Sequence, residues 1–375
     1  MNLDELRGSI NRLDRTIQDA FSERMEVCRE VARYKQAQGM QIFQTDREKE
    51  ILDRIRQDAP TGLESPSALL FQTIMDISKH LQYREIHQEH TPYEFKPLGI
   101  SADSVVACQG TAGANAETAA KQIFGADCQP QFLLTFADVF DAVQSGQVQY
   151  GILPVVNSTF GSVVQAYDLM AEHHFYICRT TVVEITNCLA VRPGTKLADV
   201  KKAYSHPQAL AQCGHFLTRS GITPCEYSNT ATAARMVAQS DEPIAAVCSE
   251  NCAALHGLEI LAHGISDHVP NFTRFICISK ELQLSEDADR ISVMLRLPHE
   301  EGSLYRLLSK FVICGLNLLK LESRPIRNGS FEVLFYLDFN GNICDPSVRA
   351  LLSDLSENLE YFKFLGNYGE TSAAV

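Results

Sequence analysis

The sequence predicts a multidomain chain: an all-α three-helix segment, then a two-lobed α/β segment, then an α+β segment of ferredoxin-like order. Three observations predict it. Apolar residues recur every three or four positions through residues 3–31. Strand-like and helix-like runs alternate over residues 104–280. The stretch 290–375 reads β-α-β-β-α-β.

In residues 1–87, Leu3, Leu6, Ile10, Leu13, Ile17, Phe21, Cys28 and Val31 form one apolar stripe on a long amphipathic helix. Thr45-Asp46-Arg47-Glu48 has the pattern of a capping box and opens a second helix. Ser65-Pro66 opens a third, with serine as cap and proline at the first helical position. Three helices cannot easily cover so long a stripe, so pairing of two copies through the first helix is expected. Arg24 and Lys35 stand in line with the stripe; at about 100° per residue they fall within about 20° of one face. Cations there need anions, either as structural salt bridges or as an anionic ligand. On the third helix, Phe71, Met75, Ser78 and Gln82 share a face, and its last two members are polar. Glu48 serves equally as a capping acid and as a pocket residue. Together Arg7, Arg24, Lys35, Arg47, Glu48, Ser78 and Gln82 compose a basic-polar pocket in a small helical domain.

Residues 88–103 carry Pro92, Pro97 and Gly99 without a period and read as a linker. The α/β segment, 104–282, has strand-like runs at Ser104–Cys108, Gln149–Val156, Thr181–Val191 and Ile244–Val247. Helix-like runs lie at Ala116–Phe124, Asp138–Gln144, Pro207–Leu217 and Thr232–Gln239. A largely parallel sheet is expected, with a cleft between two similar lobes. No G-x-S-x-G, GK[ST] or G-x-G-x-x-G occurs, so nucleophile-elbow, P-loop and nicotinamide readings are poor. Gly110-Thr111-Ala112-Gly113 is a weak anion-binding signal. What remains are polar strand ends: Asn157-Ser158-Thr159, Ser205-His206-Pro207-Gln208 and Asn271-Phe272-Thr273-Arg274-Phe275. Open α/β sheets bind ligands near such ends, although each one singly reads as a cap or turn. In the last segment the expected strands are Ile291–Leu297, Leu316–Leu321, Phe331–Phe339 and Tyr361–Leu365, with helices Ser303–Ile313 and Ser347–Asn358.

The chain has 375 residues and a net charge of −13, enough length for two or three cores. That charge argues against nucleic acid or an anionic membrane as partner. Twelve cysteines are scattered without a CxxC and read as small buried residues in a reducing compartment rather than as a metal site. The charged N-terminus lacks the apolar core of a signal peptide. No apolar run reaches the roughly 20 residues of a membrane span. A soluble cytoplasmic protein is expected.

The helical pattern, through "LRGSINRLD", "ERMEVCREVARYK", "TDREKEIL" and "DISKHLQ", resembles the all-helical class of chorismate mutase. The resemblance implies that Arg24, Arg47 and a partner subunit's copy of Arg7 bind the substrate carboxylates. Lys35 and Gln82 would contact the ether oxygen, and Glu48 and Ser78 the hydroxyl side; Gln44 would offer a further hydrogen bond. A Claisen rearrangement suits these residues, because it needs a compact conformer and stabilised charge rather than a nucleophile or metal. The α/β segment, through "FADVFDAVQSGQVQYGILPVVNSTFGSVVQAYDLM", "SHPQALAQC", "IAAVCSENCAALHGLEIL" and "NFTRF", resembles prephenate dehydratase. That implies Thr273 as the hydroxyl assisting departure of the substrate's 4-hydroxyl, Arg274 beside a carboxylate, and Asn157, Ser158, Ser205, Gln212 and Phe275 around the substrate. The C-terminal segment, with "EGSLYRLLSKF" and "GLNLLKLESRP", resembles an ACT regulatory domain of the phenylalanine-responsive kind. Gly302, Ser303, Leu304, Glu322, Ser323, Arg324 and Pro325 would form its effector site.

The resemblances together imply a fused enzyme converting chorismate to prephenate and then to phenylpyruvate. It would use no cofactor or metal, have phenylalanine as effector, and form a homodimer or dimer of dimers. Four places depart from the family patterns. Val156 stands where an acid is usual, and Asn115-Ala116 where an aromatic precedes serine or threonine. Gln44 replaces an aspartate of some bacterial mutases, and Glu301 a frequent proline. Two other assignments fit the same residues: an active mutase joined to an impaired dehydratase, and a non-catalytic amino-acid-binding regulator.

Overall fold

The computed structural model describes residues 2–86, 93–267, 270–326 and 332–371. By contact, the chain divides into one unit of Met1–Glu94 with Asp289–Phe364, and another of Phe95–Ala288 with Leu365–Val375.

The first unit opens with three helices: α1 (Leu3–Gln38), α2 (Thr45–Asp58) and α3 (Glu64–Ile86). Asn2 and Glu5 close a reciprocal capping box at the start of α1, and Gly39 ends it in the left-handed conformation at φ 64°. The capping box expected for α2 is not formed. Gln44 rather than Thr45 occupies the cap position, and the Gln44 side chain makes no cap hydrogen bond; Glu48 turns to Lys79 instead. α3 begins one residue before Ser65, so Ser65 and Pro66 lie inside its first turn rather than at its cap. Among the described residues, only the second half of α1 is packed: Met25 and Ala32 are buried, while Arg24, Cys28 and Lys35 are half-buried. Leu3, Leu6, Ile10, Leu13 and Ile17 stay exposed, and so does Val31.

The C-terminal part of this unit has strands Arg290–Arg296, Leu318–Pro325 and Val333–Asn340, with helices Ser303–Ile313 and Pro346–Asn358. The last strand, Phe362–Thr371, completes the β-α-β-β-α-β order. Strand Val333–Asn340 lies between Arg290–Arg296 and Leu318–Pro325, antiparallel to both. Helix Pro346–Asn358 packs on α3. The Tyr83 hydroxyl donates to Glu357 at 2.8 Å and accepts from Asn358 at 3.1 Å, beside a small apolar contact of Ile42, Tyr83 and Ala350.

The second unit is two-lobed. In its first lobe the parallel strands Val106–Gln109, Gln131–Leu133 and Tyr150–Asn157 are joined by strands Phe272–Ser279 and Tyr176–Glu184. The sheet is therefore mixed rather than largely parallel. Strand Phe272–Ser279 runs antiparallel to both of its neighbours, because the chain returns to it from the second lobe rather than through a helical crossover on the same lobe. The single strand expected over Thr181–Val191 is two, ending at Glu184 and restarting at Cys188 in the sheet of the second lobe. That sheet orders Glu259–Ala262, Cys188–Val191, Ala245–Cys248, Lys202–Ser205 and Thr223–Glu226. The helical run expected over Pro207–Leu217 is broken into Pro207–Ala211 and Gly214–Arg219. Eight of the twelve unpaired cysteines are buried. Cys108, Cys128, Cys178 and Cys277 sit in the first lobe's core with Ile152 and Phe124, where each acts as a small apolar side chain.

Candidate active sites

The first site lies among α1, α2 and α3. The α1–α3 seam brings Arg24 Nη1 to Ser78 Oγ at 2.5 Å, as their shared stripes require. Lys35 Nζ donates to the Ile42 carbonyl at 2.6 Å, which ties the end of α1 to the loop before α2. Burial lowers the pKa of Lys35, and the Glu48 carboxylate partly opposes that. Gln82 is buried and its Oε1 meets no donor among the described residues. Buried amide oxygens are rarely left so, which points to a group that arrives from outside. Arg24, Lys35, Glu48, Ser78 and Gln82 thus gather within one chain.

Lys79 escaped the sequence reading. It lies between Glu48 at 3.1 Å and Asp76 at 2.9 Å. Its burial works against the charge, yet Asp76 and Glu48 outweigh it and the pKa is raised. The sequence signal was a lysine directly after Ser78, next to a stripe otherwise apolar or neutral. Arg47 faces solvent and pairs with Glu50 at 2.7 Å, and Gln44 is exposed. Arg7 is exposed and pairs with Asp4 at 3.4 Å. Arg24 stands seventeen positions after Arg7 on the helix, roughly 25 Å at 1.5 Å per residue. Arg7 cannot reach the cluster of its own chain.

The second site is the cleft between the lobes of the second unit, a cavity of about 300 Å³. Thr273, Phe275 and Asn157 line it from the first lobe, Gln212 and His206 from the second, and Asn187 from the crossing between them. Thr273 and Asn157 face one another in register. Asn157 Nδ2 donates to Thr273 Oγ1 at 2.9 Å and to Asn271 Oδ1 at 2.7 Å. Its Oδ1 accepts the amides of Thr159 and Phe160, both at 3.0 Å. The Asn157 amide is therefore fully committed. Because Thr273 accepts from it, the threonine keeps its own O–H to donate into the cleft. Asn187 Nδ2 donates to Gln212 Oε1 at 3.1 Å and to Ser266 Oγ at 3.1 Å. The Gln212 oxygen is thus turned toward Asn187, and its NH₂ end is left as the cleft donor. Asn187 was also missed. Its signal was one polar residue interrupting the apolar run that proved to be two strands.

The lining contains Asn115 and Ala116 at the start of helix Asn115–Phe124. It contains no Asp, Glu, Lys or Arg among the described residues; His206 is its one ionisable side chain. Three other sequence candidates fall outside the lining. Ser205 is buried and donates to the Val247 carbonyl at 2.7 Å. Ser158 Oγ accepts the Phe272 amide at 2.9 Å, holding the turn after Asn157. Arg274, one residue from Thr273, presents its guanidinium to Glu370 at 3.1 Å.

In the C-terminal part of the first unit, Gly302 stands at the N-cap of helix Ser303–Ile313 with φ 77°. Ser303 and Leu304 line a cavity of about 480 Å³ with Arg296, His299, Glu332 and Phe335. Glu322, Ser323, Arg324 and Pro325 lie on a different strand and do not line it. On that strand Glu322 pairs with Lys320 at 3.4 Å and with Arg324 at 4.0 Å.

Comparison with known proteins gives two family matches: chorismate mutase type II over residues 6–83, and prephenate dehydratase over residues 106–283. The bifunctional chorismate mutase/prephenate dehydratase of Aquifex aeolicus is 31% identical over 98% of this chain and 97% of its own. Arogenate dehydratase/prephenate dehydratase 1 of Arabidopsis thaliana is 35% identical over 70% of this chain and 71% of its own. Among solved structures, the prephenate dehydratase of Arthrobacter aurescens in complex with L-Phe is 30% identical. It superposes with a TM-score of 0.65 over 71% of this chain and 90% of that one.

Proposed function

The chain belongs to the bifunctional chorismate mutase/prephenate dehydratase family, and on that premise we propose that it rearranges chorismate to prephenate and then converts prephenate to phenylpyruvate. The segments 1–87, 104–282 and 290–375 would carry the mutase, the dehydratase and an ACT-type regulatory domain. The observation that carries the dehydratase assignment is the Asn157–Thr273 hydrogen bond at the edge of the cleft.

In the helical site, Arg24 and Lys35 supply the positive charge that a dicarboxylate needs. The buried, partnerless Gln82 Oε1 lies in the same cluster. Lys35 and the NH₂ end of Gln82 donate to the breaking ether oxygen and stabilise the charge growing on it, while Gln82 Oε1 is free to accept from a substrate hydroxyl. The rearrangement forms one carbon–carbon bond as the carbon–oxygen bond breaks, and no group of the protein bonds covalently to substrate. Arg7 is supplied by the other copy of a dimer built on the bare half of α1, and Arg47 turns inward from solvent to meet a carboxylate.

In the cleft, the substrate's ring carboxylate leaves as carbon dioxide. Its carbon–carbon electron pair enters the ring while the 4-hydroxyl departs with its own bonding pair. The Thr273 O–H gives its proton to that oxygen, which leaves as water, and the threonine takes a proton back from solvent water. A threonine hydroxyl is a weak acid, so its contribution is position: Asn157 fixes the oxygen and leaves the hydrogen one direction to point. The NH₂ of Gln212 and the backbone amides of the helix starts around the cleft hold the carboxylates in place of cations, with Asn187 orienting Gln212.

Supply of chorismate to the purified full chain should consume it and produce phenylpyruvate. Arg24→Ala should abolish chorismate loss and leave conversion of added prephenate within about twofold, whereas Thr273→Ala should do the reverse; residues in separate sites act independently. Chorismate loss without phenylpyruvate would reduce the protein to a mutase. Loss of neither substrate would leave an amino-acid-binding regulator. Phenylalanine is the effector this reading expects, and depression of phenylpyruvate formation by added phenylalanine tests it.

A further inference from the structure

Arg274 neighbours the Thr273 of the cleft but points to the other face of its strand. Its register partners on both sides, Val156 and Val182, are apolar. Its Nε is buried and meets no acceptor among the described residues. The carboxylate that does meet the guanidinium is Glu370, at 3.1 Å, from the far end of the terminal strand. That strand runs parallel to Tyr176–Glu184, with Glu370 opposite Thr180. Thr180 and Val182 are two apart, so Glu370, Val182, Arg274 and Val156 share one face of the sheet. The terminal strand is also held by Arg179, whose Nε donates to Thr371 Oγ1 at 2.9 Å.

We infer that Glu370 is a positioning residue for dehydration: by holding Arg274, it fixes the strand that presents Thr273 to the cleft. The inference rests on the dehydratase reading above. A valine at 156 gives the cation nothing across the ladder, so the last residues of the chain supply its counter-charge. Glu370 touches neither the cleft nor the substrate. Its effect therefore falls on the geometry of Thr273, and on the rate of the chemical step more than on substrate binding. The pair is one-third exposed, so the effect is moderate.

The test uses the full chain with prephenate as substrate. Glu370→Gln should lower kcat for phenylpyruvate formation about fivefold, the scale of an ion pair at this exposure, with KM and chorismate consumption unchanged. Adding Val156→Glu to that variant places a carboxylate directly opposite Arg274 on the same face, and should restore kcat to within about twofold of the parent. Unchanged kcat in Glu370→Gln, or no restoration by Val156→Glu, overturns the inference. An inactive parent defeats the dehydratase reading instead. Amide exchange of residues 272–275 then decides the hold separately: faster exchange in Glu370→Gln supports it, and identical exchange overturns it.

Discussion

At the residue scale, the cleft works through amide orientation. Asn187 is 4% exposed and gives Nδ2 to Gln212 and Ser266. It thereby decides which end of the Gln212 amide meets the substrate. Asn187→Ala should lower kcat/KM for prephenate about fivefold to tenfold, the worth of one buried hydrogen bond. Asn187→Asp should cost more. An acceptor at that position turns the Gln212 NH₂ away and presents its carbonyl oxygen to an anionic substrate. Steady-state kinetics of the two variants, each checked for an unchanged unfolding midpoint, tests this; equal losses would mean that Asn187 only fills space.

At the element scale, the terminal strand depends on a close approach. Gly366 has φ 148°, and a Cβ there would lie 2.2 Å from the Ile177 carbonyl oxygen. Since backbone cannot yield as a side-chain tip does, Gly366→Ala should displace the strand and destabilise the second unit by about 2 kcal/mol. It should lower the unfolding midpoint and carry dehydratase activity down with it, while the mutase persists. This strand also shows what the sequence could not disclose. The strand expected over Tyr361–Leu365 stops short of Gly366 and Gly369. Those glycines instead permit strand contact, so the strand runs on to Thr371. Helix α1 was legible for the opposite reason: its period and charged flanks are local. The division of Thr181–Val191 was hidden because a run buried in either lobe has the same composition. Asn157 and Thr273 could be singled out as polar strand ends, but their pairing across 116 residues is a property of the ladder alone.

At the scale of the whole molecule, the two sites are built on opposite electrostatic principles. The helical site concentrates charge in Arg24, Lys35, Glu48, Lys79 and Asp76. The described lining of the cleft holds no Asp, Glu, Lys or Arg. Rising ionic strength should therefore weaken the mutase reaction before it weakens prephenate conversion. Assays of both reactions on one sample from low salt to about 1 M, where the screening length is about 3 Å, would show this as diverging KM curves; parallel curves would count against it.

The bare half of α1 has a consequence for how the protein behaves when scarce. Leu6, Ile10, Leu13 and Ile17 find no cover among the described residues, and Arg7 sits among them. The described residues of one chain already enclose the cleft from both lobes. On the proposed pairing, in which Arg7 comes from a second copy, rearrangement is a bimolecular property and dehydration a unimolecular one. On serial dilution the specific activity toward chorismate should fall while that toward prephenate holds, and Ile10→Asp should move the fall to higher concentration. A cell with few copies would finish prephenate made elsewhere before it could make its own.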